Sequence, residues 1–466
     1  MSQPNPKRWY ALGLIALAQF MVIMDTSIIG VALPKMQQAL GFSQENLSWV
    51  FNAYVIAFGG LLLLGGRLTD LFGAKRLFVA GWAVLGVGSL VAGVADGIGV
   101  EIAGRAVQGL GAAFIAPSSL TLLMMLFAHD PKELTKALAL YGAAAPAGGT
   151  AGVFLGGVIT EWMSWPWVFY VNLPIAAFVL ATAPGLMPGS EVRRGSVDVP
   201  GAIAVTVGLA LAVFGIVRAP EVGWTAPSTV AALVGAVVLL AGFLVLQLFR
   251  KEPLLRLGIF RAPNLGAANI AQLLLGAAWI PMWFFLNLYL QQVLGFGAFE
   301  GGAALLPMTG AIMVLMVFVA PRIIARFGPK TPIVAGLFVL AAGLLALSLA
   351  RPDGSFLVDV LPASLVAATG MALAFIPSLG MALSSARPEE GGLAAGIVNT
   401  GYQVGSALGL AAMTALATSQ GAGELGDPKA LTEGFAAAFI GSALIAVVGA
   451  LVALTRILPG KPSPGR

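Results

Sequence analysis

The sequence predicts an all-α polytopic membrane protein: two six-helix bundles with two further transmembrane helices inserted between them, fourteen spans in all. Composition, the spacing of apolar segments and the placement of basic residues lead to that fold class. Of 466 residues, 59% are hydrophobic and 10% charged. A soluble domain carries about 25% charged residues, so this chain has too few to cover a water-facing surface. A cytosolic enzyme and a secreted domain are both excluded. The chain has no cysteine and one histidine, His129. Disulfides, thiolate metal sites, cysteine nucleophiles and multi-histidine metal sites are therefore excluded, and no metal or cofactor is expected.

A helix needs about 20 mostly apolar residues to cross a bilayer. The first six such segments fall at 10–34, 46–66, 77–95, 99–127, 135–160 and 167–187. The first follows MSQPNPKRWY with no small-residue cleavage site, so it is a retained helix and not a removed signal peptide. A polar break at 188–200 separates this set from two segments at 200–218 and 228–249, and Arg250-Lys251-Glu252-Pro253 closes that pair. Six more follow at 264–294, 302–320, 331–350, 360–383, 392–418 and 434–456. The expected domains are 1–187, a six-helix bundle; 188–256, a linker with the two inserted helices; and 257–466, a second six-helix bundle. Six plus two plus six is a transporter architecture.

Orientation follows from lysine and arginine. With the N-terminus inside, the inner connections and termini hold 20 of the 25 basic residues, and the outer ones hold Lys35, Arg218, Arg351 and Lys429. Arg105 falls within a span. Both termini are therefore expected in the cytoplasm. The net charge of +5 is a topology signal, which argues against nucleic-acid binding.

An internal repeat supports the two bundles. Gly66-Arg67-Leu68-Thr69-Asp70-Leu71-Phe72-Gly73-Ala74-Lys75 follows the second span, and Pro321-Arg322-Ile323-Ile324-Ala325-Arg326-Phe327-Gly328-Pro329-Lys330 follows the tenth. Arg, Phe, Gly and Lys match at one offset, while Ala325 stands where the first copy has Asp70.

Ionisable groups at bilayer depth are costly and mark function by default. Asp25 in the first span and Arg105 in the fourth stand out. Measured from the outer ends of their helices, they differ in depth by roughly one helical turn. Asp25 reads either as a proton-binding carboxylate or as a permanently paired structural one; Arg105 reads either as its electrostatic partner or as a cation bonding backbone carbonyls. Glu101, Glu161 and Glu300 fall near outer span ends and read as solvated. Polar and aromatic side chains within the spans are candidates for a substrate cavity: Gln19, Asn52, Tyr54, Gln108, Trp283, Asn287, Gln291, Asn399, Tyr402 and Gln403. Helix-to-helix hydrogen bonds are the competing use for each. Glycines recur in the fifth span (Gly148, Gly152, Gly156) and the thirteenth (Gly401, Gly405, Gly409) at four-residue spacing, which lets helix backbones approach closely. No phosphate-binding loop is present, so ATP is not the energy source.

These residues resemble the major facilitator superfamily, specifically its fourteen-helix drug:proton antiporter branch, over essentially the whole chain. The 66–76 segment is similar to the superfamily's signature loop between helices 2 and 3. The resemblance implies a gating role for Arg67, Asp70, Gly73, Lys75 and Arg76. Met24-Asp25-Thr26-Ser27-Ile28-Ile29-Gly30 resembles the branch's first-helix motif, with Gly30 where asparagine is usual, and implies that Asp25 couples to protons. Arg105-Ala106-Val107-Gln108-Gly109 resembles the fourth-helix motif, whose arginine is implicated in proton transfer. Gly152, Gly156 and Gly157 fit the glycines of the fifth-helix antiporter motif, with Val153 in place of its proline. Trp165-Pro166-Trp167-Val168-Phe169-Tyr170-Val171-Asn172 resembles another family stretch.

The expected function is a proton-coupled exporter of amphipathic or cationic small molecules such as drugs, a monomer in the cell membrane, working by alternating access. Its expected partners are a small-molecule substrate, protons and the lipid bilayer, without nucleic acid or ATP. The alternatives are a proton-coupled transporter of one metabolite and, from another class, a non-transporting receptor or a channel.

Overall fold

The computed structural model describes residues 7–127, 129–189, 197–250, 253–255, 257–385 and 391–458. The 190–196 break with Arg193 and Arg194, and also Lys251, Glu252, Arg256, Arg387, Lys461 and Arg466, lie outside the described residues. Among the described residues, thirteen helices are long and apolar enough to cross a membrane: α1 (Arg8–Leu40), α2 (Gln44–Phe72), α3 (Ala74–Gly93), α4 (Ile98–Phe127), α5, α6 (Trp167–Leu186), α7 (Val199–Val222), α8 (Pro227–Phe249), α9 (Leu265–Val293), α10 (Ala298–Phe327), α11 (Lys330–Leu347), α12 (Phe356–Ala382) and α14 (Pro428–Arg456). The helix α5 runs Pro131–Trp162 in full. A fourteenth helix, α13 (Gly391–Ala417), is 27 residues long. All fourteen expected spans are therefore helices. Several run well past the 20-residue minimum, α1 reaching 33 residues with Pro34 inside it. Fourteen antiparallel helices put Lys7 and Leu458 on one face, here the terminal face; the other is the distal face.

The packing order repeats. Helix α1 lies on α5, α3 on α4, α2 on α4 and α3 on α6; eight helices later, α9 lies on α13, α11 on α12, α10 on α12 and α11 on α14. The same close approaches recur. A Cβ on Gly152 of α5 would lie 2.7 Å from the Met24 carbonyl oxygen of α1, and one on Gly156 2.8 Å from that of Ile28. On α13, Gly405 and Gly409 abut the α9 backbone at Leu273 and Ala277 in the same way. Between α3 and α4, Gly88, Gly104 and Gly111 close the gap; between α11 and α12, Gly336, Gly343 and Gly370 do. In lipid there is little hydrophobic drive between helices, so this backbone-on-backbone packing holds them together.

The repeat seen in sequence has a local cause. Gly73 ends α2 with φ +90°, and Gly328 ends α10 with φ +73°. Both copies turn sharply into the next helix through a left-handed residue that only glycine adopts without strain.

Helix α2 also packs on α13, and α5 on α10. These two contacts between the repeats are themselves related by the repeat. The inserted helix α7 sits against both α2 and α13, and α8 packs against α7. Val234, Val237, Val238 and Leu248 of α8 are exposed, a lipid-facing flank. Asp198 anchors the insert: it accepts from Gly201 N at 3.0 Å and from Gln247 Nε2 at 2.7 Å, and pairs with Arg250 at 3.4 Å.

Candidate functional site

Five helices converge on one buried polar cluster. Helix α1 supplies Asp25, α2 Tyr54, α3 Ser89, α4 Arg105 and Gln108, and α6 Asn172, and each of these residues is 0% exposed. Arg105 and Gln108 stand one turn apart on one side of α4. Small residues around them let α3 close in: a Cβ on Gly88 would meet Gln108, and one on Gly104 would meet Ala92.

The two ionisable groups touch. Arg105 Nη1 donates to Asp25 Oδ2 at 2.6 Å and to Gln108 Oε1 at 2.7 Å. Arg105 Nε donates to the Val50 carbonyl at 2.9 Å, and its guanidinium lies 4.6 Å from the Tyr54 ring centroid. The other carboxylate oxygen of Asp25 accepts from Asn172 Nδ2 at 2.8 Å and from Gln108 Nε2 at 3.1 Å. Both amides also donate to Ser89 Oγ, at 3.1 and 2.8 Å. A buried carboxylate is tolerable only when paired and hydrogen-bonded, and Asp25 has three donors. Protonating it would remove the anion that faces Arg105 and weaken all three bonds. The Asp25 carboxylate thus ties α1 to α4 and α6.

Glu101 departs from the sequence expectation. The sequence reads it as solvated at an outer span end; it is fully buried, and neither carboxylate oxygen has a hydrogen-bond partner among the described residues. Glu101 does lie near the helix end, but α3 at Ala92 and α2 at Val50 pack against α4 within about a turn of it, which excludes water from its side chain. Glu161 and Glu300 are exposed as expected, yet Glu161 Oε2 accepts from Ala298 N at 3.0 Å across the α5–α10 contact.

A second polar group links helices near the distal face. Gln37 Nε2 donates to Gln44 at 2.9 Å, Gln44 Nε2 to Gln292 at 3.2 Å and Gln292 Nε2 back to Gln37 at 2.7 Å, a closed ring of three amides. Gln291 Nε2 donates to the Val31 carbonyl at 3.0 Å. Gly30 is where α1 meets α9: a Cβ there would lie 3.0 Å from Trp283 Nε1 and 3.1 Å from Asn287 Nδ2. The side chain missing from Gly30 is thus replaced by two from α9. Asn287 itself donates to the Trp283 carbonyl at 2.8 Å. These contacts join the two repeats at the distal ends of their helices.

The remaining cavity candidates are dispersed. Asn52 and Tyr54 are fully buried on α2. Gln19 of α1 accepts from Tyr141 of α5 at 2.8 Å. Tyr402 packs edge-on to Phe375, and Gln403 lies against Gly59 where α13 meets α2. Asn399 is exposed on α13. At the terminal face, Asp70 and Arg76 are exposed, Arg67 is half-buried, and Lys75 Nζ donates to the Pro184 carbonyl at 2.5 Å. A cavity of about 560 Å³ opens beside Lys75 and Arg76, lined also by Phe72, Val79, Ala83 and Pro184. It lies on the flank of α3, away from Asp25. Gly157 faces α10, where its Cβ would meet the Ala298 carbonyl at 3.0 Å.

Sequence reading missed Ser89, Tyr141 and the Gln37–Gln44–Gln292 ring. A serine or glutamine near a helix end carries no signal of its own; only packing brings three of them together.

The family model described as Major Facilitator Superfamily matches residues 15–410. The cephamycin export protein CmcT of Amycolatopsis lactamdurans is 38% identical over 453 residues, covering 96% of this chain and 92% of that protein. The puromycin resistance protein pur8 of Streptomyces alboniger is 36% identical over 442 residues, covering 92% and 87%. Among solved structures, the nucleoside transporter NupG has a similar fold, with a TM-score of 0.68 at 12% identity over 97% of this chain and 100% of that one.

Proposed function

The chain belongs to the Major Facilitator Superfamily, and from that premise we propose that it is a proton-coupled exporter of antibiotic-like small molecules. The export and resistance roles named for its relatives support the substrate class and the direction. The observation that carries the coupling is the buried Asp25–Arg105 pair at 2.6 Å, held by Gln108 and Asn172. The 20-to-4 bias of basic residues supports a cytoplasmic terminal face. The conformation is then sealed toward the outside.

In this reading residues 1–187 and 257–466 are the two units that rock, with the linker and inserted helices 188–256 between them. Protonation of Asp25 from outside loosens its hold on Arg105, Gln108 and Asn172, and α1 shifts against α4 and α6. Gly152, Gly156 and Gly157 give α5 a smooth face on which α1 and α10 slide. Arg67, Asp70, Gly73, Lys75 and Arg76 form the latch at the cytoplasmic end of α2 and α3. Gln19, Asn52, Tyr54, Gln108, Trp283, Asn287, Gln291, Asn399, Tyr402 and Gln403 supply polar and aromatic contacts along the path as it opens to each side. The protein works as a monomer, and its partners are substrate, protons and lipid.

A narrower reading, one compound class and not many, is favoured by relatives named for single antibiotics. Proteoliposomes with an imposed pH gradient test both. Puromycin, a cephamycin and ethidium are followed with luminal pH, in wild type and Asp25→Asn. Gradient-driven flux that is lost in the variant while ligand still binds supports coupling at Asp25. Gradient-driven flux that persists in the variant overturns that assignment. Flux of one compound alone, without competition from the others, establishes the narrow form.

A further inference from the structure

Glu101 is a second carboxyl in the Asp25–Arg105 cluster, and it has no partner among the described residues. It stands four residues before Arg105 on α4, one turn nearer the distal face. Residues at this spacing face each other along a helix. Glu101 is fully buried and neither of its oxygens accepts a hydrogen bond. On the arginine, Nε and Nη1 are engaged while Nη2 is buried without a partner among the described residues. An orphan acceptor and an orphan donor thus lie one turn apart. A glutamate in the first turn of a helix ordinarily faces the exposed backbone N–H groups as an anion; this one makes no such bond.

Charge counting fixes the rest. Two carboxyls and one guanidinium are sealed from water, and an uncompensated buried charge is costly. The cluster is neutral only when the two acids share one proton between them. With Asp25 ionised against Arg105, that proton is on Glu101. The elements packed here also carry Arg8, Tyr10 and Lys35 on α1, Glu45, Tyr54, Arg67 and Asp70 on α2, Lys75 and Arg76 on α3, Lys132, Glu133, Lys136, Tyr141 and Glu161 on α5 and Tyr170 on α6, with the exposed Asp96 before α4; α13 contributes no charge. Arg105 and Asp25 are the charges acting on Glu101.

We propose that Glu101 is a second proton-binding site, and that Arg105 exchanges partners between Asp25 and Glu101 as one proton passes between them. The O–H bond of Glu101 breaks, an O–H bond forms on Asp25, and Arg105 stays protonated throughout. The freed Glu101 carboxylate then takes Nη2. Charge in the cluster is unchanged at every step, and Glu101 is the carboxyl nearer the distal face. The proposal rests on the proton-coupled reading of Asp25.

Infrared spectroscopy of the purified protein in liposomes reads the protonated carboxyl band directly. At neutral pH, wild type should show one buried carboxyl band, and Glu101→Gln should lose it. Asp25→Asn should lose it too, because Arg105, deprived of its anion, draws Glu101 into ionisation. A band that survives in Glu101→Gln, or in Asp25→Asn, overturns the proposal; a purely structural Glu101 would leave the Asp25→Asn spectrum unchanged. If Glu101→Gln does not fold, Glu101→Asp should shift the band instead, and an unshifted band overturns the assignment. Absence of gradient-driven flux in wild type would count against the coupling reading alone, since the infrared result is read without transport.

Discussion

Replacing Gln292 by leucine should move the molecule toward a distal-open state. Gln292 makes two hydrogen bonds across the halves, from Gln44 at 3.2 Å and to Gln37 at 2.7 Å. Each is worth about 0.5–1.5 kcal/mol net, so losing both costs the sealed state about 1–3 kcal/mol. The open state loses nothing, because water serves Gln37 and Gln44 there. That difference is about a 5–150-fold rise in the open-to-closed ratio. The chain has no cysteine, so spin labels can be placed without first removing any. Lys35 and Asp353 are exposed on the distal face, one in each half. Labels at Lys35→Cys and Asp353→Cys, read by pulsed electron resonance, should show a longer-distance population growing by that factor in Gln292→Leu. An unchanged distance distribution, together with a lowered unfolding temperature, would refute the reasoning: the ring would then be part of the fold's general stability and not a seal.

Three further outcomes follow from the packing. Gly152→Val should destabilise by about 1–3 kcal/mol, since its Cβ would press the Met24 carbonyl and Ser27; thermal unfolding in detergent checks this. Gly30→Asn should push α1 from α9, where Trp283 and Asn287 fill the space, and raise the same long-distance population. Shortening the facing residue with Asn287→Ser should restore the wild-type distribution. Asp198→Ala removes a helix cap, worth about 1 kcal/mol, and leaves the buried Gln247 amide without its acceptor. It should lower the unfolding temperature while transport by the folded fraction is retained.

The two long-range features legible in the sequence had different fates. The 66–75 and 321–330 segments match as strings, and their shared Gly73/Gly328 turn makes them match as structure. Glycine spacing in the fifth and thirteenth spans identified helix faces that approach closely, without naming what they approach: α1 in one case and α9 in the other. Gly30 read as a missing polar contact, and the structure shows its space taken by Trp283 and Asn287, 253 and 257 positions away. Glu101 read as solvated because depth along a helix was the sole guide available; burial depends on which neighbour covers that face.

By itself the sequence determined the span count, the side on which basic residues gather and the presence of two ionisable groups at depth. Each follows from the cost of placing charge and bare backbone in hydrocarbon, which acts on every segment separately. Only the tertiary structure decided that Asp25 meets Arg105 at 2.6 Å, that Asn172 and Ser89 complete the cluster, and that three glutamines form a ring near the distal face. Those contacts join residues 7 to 255 positions apart. They are fixed by how helices pack across one another, a relation that the polarity of a single segment does not encode.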